Sequence, residues 1–170
     1  MTGSAAVGSR RDCVLATVCV GAGRRANAPG THDRQAPAAL FEDLAQDRTL
    51  RAVVVSSCGR LSFNSGSDTR EWLSAAPEET DASVAAMGSA PTAIEGLPVP
   101  VVASLRGTAP GTGCPLACAC VLRVGTEDVR LGMPVACWSS LVPPACAARL
   151  SLLTGPATSR DPLFTSSPDG

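Results

Sequence analysis

The 170-residue chain has no lysine and no tyrosine, one histidine and only three phenylalanines. Every fixed side-chain cation is therefore an arginine, and no lysine-rich run exists to grip a polyanion. A formal net charge of −1 removes nucleic acid as the default partner. No apolar stretch reaches the roughly 18 residues that a membrane helix needs, so no membrane partner is expected. Residues 1–11 lack the apolar core of a secretory signal. Glycine shows no three-residue period, which excludes a collagen-like chain. Charged residues make up 17%, too few for a charge-driven disordered chain. These absences leave an intracellular, cytoplasmic protein with one core domain over residues 12–170, preceded by a small, polar, disordered tail over residues 1–11.

The residues that are plentiful are Ala, Gly, Pro, Val, Ser and Arg. Small side chains bury little apolar area each, at about 25 cal/mol per Å², so a fold of modest stability is expected. Eight cysteines stand out: Cys13, Cys19, Cys58, Cys114, Cys118, Cys120, Cys137 and Cys146. In an exported chain an even count would suggest a disulfide framework. Without an export signal they read as small buried apolar residues. Cys114, Cys118 and Cys120 come nearest to a ligand set, but Cys-x-Cys is a poor zinc signature and no metal site is expected. His32 lies in a Pro/Gly-rich loop and lacks the partners of a Ser-His-Asp or Cys-His site.

Hydrophobic patterning predicts strands and helices in alternation. Residues 14–20 (VLATVCV) and 50–56 (LRAVVVS) read as strands, the second with the continuous apolar centre of a buried parallel strand. Between them Ala39, Leu40, Phe41 and Leu44 mark a helical face over residues 36–46. Strand, helix, strand is a right-handed βαβ unit. Residues 78–97 have helical composition broken by proline, and 100–105 (PVVASL) is a third buried strand. A glycine-rich turn at 107–113 precedes a short apolar helix at 114–120. Short strands at 121–124 and 129–131 and a helix within 141–153 follow, then a Pro/Ser-rich tail from Gly155. Taken alone, the 107–113 turn is a tight strand-to-helix connection.

Three segments in order carry a resemblance. They are residues 51–68 (RAVVVSSCGRLSFNSGSD), residues 98–120 (PVPVVASLRGTAPGTGCPLACAC), and residues 130–134 (RLGMP) followed by Pro143 and Arg149-Leu150. With residues 24–28 (RRANA) and 163–168 (LFTSSP), they make the chain resemble the crotonase superfamily, the enoyl-CoA hydratases and isomerases, over about residues 13–168. The resemblance implies an α/β fold of repeated ββα units, with two roughly perpendicular sheets surrounded by helices. It also implies acyl-CoA thioesters as ligands, with coenzyme A part of the substrate and no separate cofactor. In that family two backbone N–H groups form an oxyanion hole for the enolate oxygen. The matching positions are Ser67, in Gly66-Ser67-Asp68, and Thr112, in Gly111-Thr112-Gly113. A glycine turn that opens a helix also points free N–H groups and a positive dipole end at an anion. Ser65, Gly66, Asp68, Gly111 and Gly113 would line the substrate, and Arg25, with Arg24, would meet the CoA phosphates or lie on the surface. Asp68 is expected to order its loop rather than to catalyse, and Glu127-Asp128 to be a solvated turn.

The departures from the family pattern bear on chemistry. Glycine is usual at the position of Thr112, and a positive φ there would strain a β-branched residue by roughly 1–3 kcal/mol. The hydratase pair of glutamates, general acid and general base, falls on Pro115 and Val135, which transfer no proton. Ser139 replaces a family glycine and has no base to activate it. Residues 136–138 (ACW) and 144–146 (PAC) are similar to crotonase-type dehydratases of polyketide β-branching, whose relatives include decarboxylases acting on carrier-protein thioesters. The family's C-terminal helices have no counterpart after Gly170, so the fold is expected to be incomplete there and the usual trimer is disfavoured. Three readings stay open. They are an acyl-thioester enzyme of the hydratase/isomerase type, a non-catalytic binding or assembly subunit or decayed paralogue, and a polyketide-pathway enzyme.

Overall fold

A computed structural model of the chain describes residues 7–21, 35–59, 62–66, 76–135 and 142–164. It is mixed α/β, as the resemblance implies, with one five-stranded and one two-stranded sheet. The chain opens with β1 (Val7–Asp12) and β2 (Leu15–Val20), an antiparallel pair. Helix α1 (Gln35–Ala45) leads to β3 (Ala52–Ser57), and α2 (Pro77–Ala86) and α3 (Ser89–Glu95) lead to β4 (Val101–Leu105). Next come β5 (Thr108–Pro110), α4 (Gly113–Ala119), β6 (Leu122–Gly125) and β7 (Arg130–Gly132), then α5 (Pro144–Thr154) and α6 (Pro156–Phe164). The large sheet runs β1-β2-β3-β4-β6 and is parallel from β2 onward; β5 and β7 form the small parallel sheet.

Alternation decides which strand faces go inward. Ala16, Val18 and Val20 of β2 are buried, as are Val53 and Val55 of β3 and Val101, Ala103 and Leu105 of β4. Their branched side chains fit a pleated, covered surface. Phe41 of α1 and Ile94 of α3 close over them, joined by Leu50 and Phe63. With so few aromatics, the two fully buried phenylalanines matter, since truncation of such a ring to alanine costs about 3–5 kcal/mol. Helix α4 is buried along its whole length, from Gly113 to Ala119, which explains why it carries only small or apolar residues.

Three expectations are corrected. Residues 7–11 are not a disordered tail but most of β1. This polar sequence shows no alternation of its own; it is held by the ladder to β2 and by Arg11, which pairs with Asp47 and donates to the Cys13 carbonyl. The glycine-rich stretch after β4 contains a strand, β5, whose register is set by β7 rather than by apolar pattern. Part of the Pro/Ser-rich tail is helical: Pro156 opens α6, where a missing N–H is no loss. The Ser159 and Ser151 hydroxyls then join α6 to α5 at 2.9 Å.

Candidate functional site

The site is built on two turns that meet backbone to backbone. The first follows Phe63, whose burial fixes the chain's entry and whose N–H donates to the Thr108 carbonyl at 3.1 Å. The Ser62 hydroxyl donates to that same carbonyl at 2.7 Å, so this loop is sewn to β5. Asn64, 2% exposed, then turns inward. Its side-chain oxygen accepts the Gly66 N–H at 2.9 Å, an Asx-turn. Gly66 sits at φ +92°, a left-handed conformation that side chains disfavour.

The second turn follows β5. Gly111 has φ +55°, and its N–H donates to the Gly132 carbonyl at 3.0 Å, which ties the turn to β7. A Cβ on Gly111 would lie 3.2 Å from the Gly66 Cα, and one on Gly66 would lie 3.4 Å from the Pro110 carbonyl oxygen. A Cβ on Gly113 would overlap the Asn64 carbonyl oxygen. Glycine at 66, 111 and 113 is thus what lets the two segments touch. Asn64 completes the join, because its side-chain oxygen also accepts the Thr112 hydroxyl at 3.2 Å.

Thr112 precedes α4 at φ −67°, ψ −19°. The strain expected from a positive φ is therefore absent: the left-handed residue is the neighbouring Gly111, so Thr112 is tolerated without cost. Helix α4 begins directly after it, and the first N–H groups of a helix have no intrahelical partner. Pro115 lies in the first turn of α4, buried. Val135 is half-buried just past β7 and donates its N–H to the Met133 carbonyl at 2.7 Å. The Gly111–Gly132 bond and the packing of Cys114 with Met133 bring these two segments side by side.

Ser65 and Gly66 lie in the first turn, and Gly111, Thr112 and Gly113 in the second. Ser67, Asp68, Arg24 and Arg25 lie outside the described residues, as do His32, Cys137, Trp138 and Ser139. Glu95 pairs with Arg149 between α3 and α5, and Glu127 and Asp128 are exposed. Among the described residues of the two turns, α4 and the 130–135 segment, there is no carboxylate and no histidine. No set of three potential metal ligands is grouped among the described residues, and no described helix is long and apolar enough to cross a membrane.

The residue that sequence reading missed is Asn64. Its signal is the Asn-x-Gly spacing of residues 64–66, which marks a side-chain-closed turn.

Residues 26–151 match the family described as enoyl-CoA hydratase/isomerase. A curated Arabidopsis thaliana protein named "Probable enoyl-CoA hydratase 2, mitochondrial" is 31% identical over 125 residues, 74% of this chain and 42% of its own. The crystal structure of an enoyl-CoA hydratase/carnithine racemase from Magnetospirillum magneticum superposes with a TM-score of 0.88 at 27% identity, covering 95% of this chain and 61% of that one. An enoyl-CoA hydratase from Mycobacterium smegmatis gives 0.84 at 28% identity, covering 95% and 63%. The chain thus spans under half of that curated relative and under two thirds of those two solved chains.

Proposed function

Because the chain belongs to the enoyl-CoA hydratase/isomerase family, we propose that it binds an acyl-CoA thioester and stabilises the enolate oxygen with the backbone N–H groups of Ser67 and Thr112. The observation that carries this reading is the contact of the two glycine turns, clasped by Asn64. Fixed backbone donors need no reorganisation as charge grows on the thioester oxygen, and removing one such donor typically costs about 10²–10³ in rate. Ser65 lines the thioester, Asp68 orders its loop, and Arg25 meets the CoA phosphates. Pro115 and Val135 stand where the family's two glutamates would act, so the chain is not expected to hydrate an enoyl thioester as those enzymes do. Loss of carbon dioxide from a carboxylated acyl group on CoA or a carrier protein, which forms the enolate by C–C cleavage without a base, fits the site better.

Pro115 and Val135 also favour a second reading, thioester binding without turnover. Calorimetry with acyl-CoA tests the shared premise, and turnover of enoyl, dienoyl and carboxylated acyl thioesters separates the two. Binding with double-bond migration or carbon dioxide release supports the first reading, and binding alone supports the second. No affinity for any thioester would overturn both.

A further inference from the structure

The buried end of α4 holds a group of thiols that thioester binding does not use. Cys114 and Cys118 sit on successive turns of the helix with their sulfurs 4.0 Å apart. Cys146 of α5 packs against them, with Met133 and Leu150. Arg149, one turn after Cys146 on α5, hydrogen-bonds Cys146, and its charge and that of Arg123, which donates to the Ala117 and Cys120 carbonyls, act on Cys118. The Arg149 side chain is 10% exposed, and its Nη1 is buried without a hydrogen-bond acceptor among the described residues.

We propose that Cys114 and Cys118 form an oxidisable dithiol, converted by a peroxide to a disulfide within α4. Cys118 is the attacking sulfur. The Cys114 S–H donates to it, and Arg123 and Arg149 add positive charge, so its thiol is held below the usual range although burial opposes this. The same donation, with burial, pushes the Cys114 thiol up, so it keeps its proton. Cys118 is 9% exposed against 1% for Cys114. The Cys118 thiolate attacks one peroxide oxygen and the O–O bond breaks. The departing hydroxide takes up the proton that Cys118 released, giving water and a sulfenic acid. The Cys114 sulfur then attacks Cys118, the S–O bond breaks, and the hydroxyl leaves with the Cys114 proton as a second water. Each sulfur gives up one electron, and the peroxide is reduced to two waters.

Closure has a mechanical consequence. Helical residues four apart have Cα atoms about 6 Å apart, within the disulfide range. Their Cβ atoms stand about 5–6 Å apart, against roughly 3.5–4.5 Å across a disulfide. The first turn of α4 must therefore yield, and that turn begins against Asn64 at Gly113. Strained disulfides of this kind are the readily reduced ones.

Mapping tests the proposal in the folded wild-type protein. Reduced protein is treated with hydrogen peroxide under native conditions, alkylated, reduced, alkylated again with a second reagent, and digested with trypsin. Cys114, Cys118 and Cys120 fall in one peptide between Arg106 and Arg123, so fragmentation must locate the labels. The second label on Cys114 and Cys118, with the first on Cys120, is expected, and dithiothreitol should reverse it. Cys118→Ser should abolish the second label on Cys114. A disulfide between Cys19 and Cys58, or one joining Cys146 to either α4 thiol while the proposed pair stays open, would overturn the proposal. So would oxidation of the pair only after unfolding.

Discussion

The Thr112 hydroxyl donates across 3.2 Å to the buried Asn64 side chain, an acceptor 48 residues earlier in the chain. That oxygen also takes the Gly66 N–H, so one amide sets the spacing between both turns of the candidate site. Asn64→Ala removes the acceptor from two buried donors at once. A buried donor left unpaired costs about 1–3 kcal/mol, so the variant should lose stability in that range or somewhat above it. Asn64→Asp, which keeps the acceptor oxygens, should recover part of the loss. Urea denaturation at constant m checks both, and a change in acyl-CoA affinity shows whether the spacing matters for binding.

Gly66→Ala and Gly111→Ala should each destabilise by roughly 1–3 kcal/mol, because both residues have left-handed backbones. Gly113→Ala should be worse, although it lies in the ordinary helical region, because its Cβ would strike the backbone oxygen of Asn64. The order of the three denaturation midpoints separates the two causes. If Gly113→Ala is the mildest, close approach is not what glycine supplies there.

Thr112→Gly should give no gain in stability. The backbone at 112 is already right-handed, so there is no strain to relieve. The substitution deletes the hydroxyl bond to Asn64 and adds freedom to the unfolded chain, and a loss of about 1 kcal/mol is expected by denaturation. A more stable glycine variant would mean that the turn is strained at 112 after all.

These positions also show what could be read from the sequence and what could not. β2, β3 and β4 were legible because branched residues alternate or cluster in short runs, and α1 because its apolar residues recur at helical spacing. β1, β5 and α6 have no such pattern; their partners hold them, and a partner is not a local property. Gly66 and Gly111 were legible as turn formers, but the left-handed residue in the second turn is Gly111 rather than its neighbour, a distinction that only backbone angles reveal. Asn64 was passed over because its role depends on a threonine that the fold alone brings close.

Arg149 of α5 holds Glu95 of α3 through a two-pronged ion pair. The hydrogen bond from Arg149, helped by its charge, holds the Glu95 carboxyl below its ordinary value of 4.5, although burial opposes this. A folded-state value below the unfolded one means stabilisation that is present above the unfolded value and lost as pH falls through the folded one. Wild type should therefore exceed Glu95→Gln in stability at neutral pH, and the difference should shrink below about pH 4.5 and vanish in stronger acid. Denaturation of both proteins across that range checks the sign. Glu95 is largely exposed, so the difference should also narrow in high salt.

Substitution of Pro115 and Val135 by glutamate should supply proton-transfer groups beside the second turn. Pro115 opens α4 beside the second turn, and Val135 follows β7, whose Gly132 carbonyl accepts the Gly111 N–H at 3.0 Å. The two positions thus belong to chain segments that the fold has already brought together. Pro115→Glu removes no helix hydrogen bond, because proline has no N–H to donate. Burial there should raise the new carboxyl's pKa, which suits a general acid. With Val135→Glu as its counterpart, measurable hydration of an enoyl-CoA is expected in the double variant, and much less in either single one. A well-placed acid or base contributes about 10²–10⁴ each, and two that act together do not simply multiply. Acyl-CoA affinity and circular dichroism measured on the same samples separate a chemical failure from a folding failure. A folded double variant that binds the thioester and hydrates no faster than wild type would show that these two positions do not flank the reacting carbons.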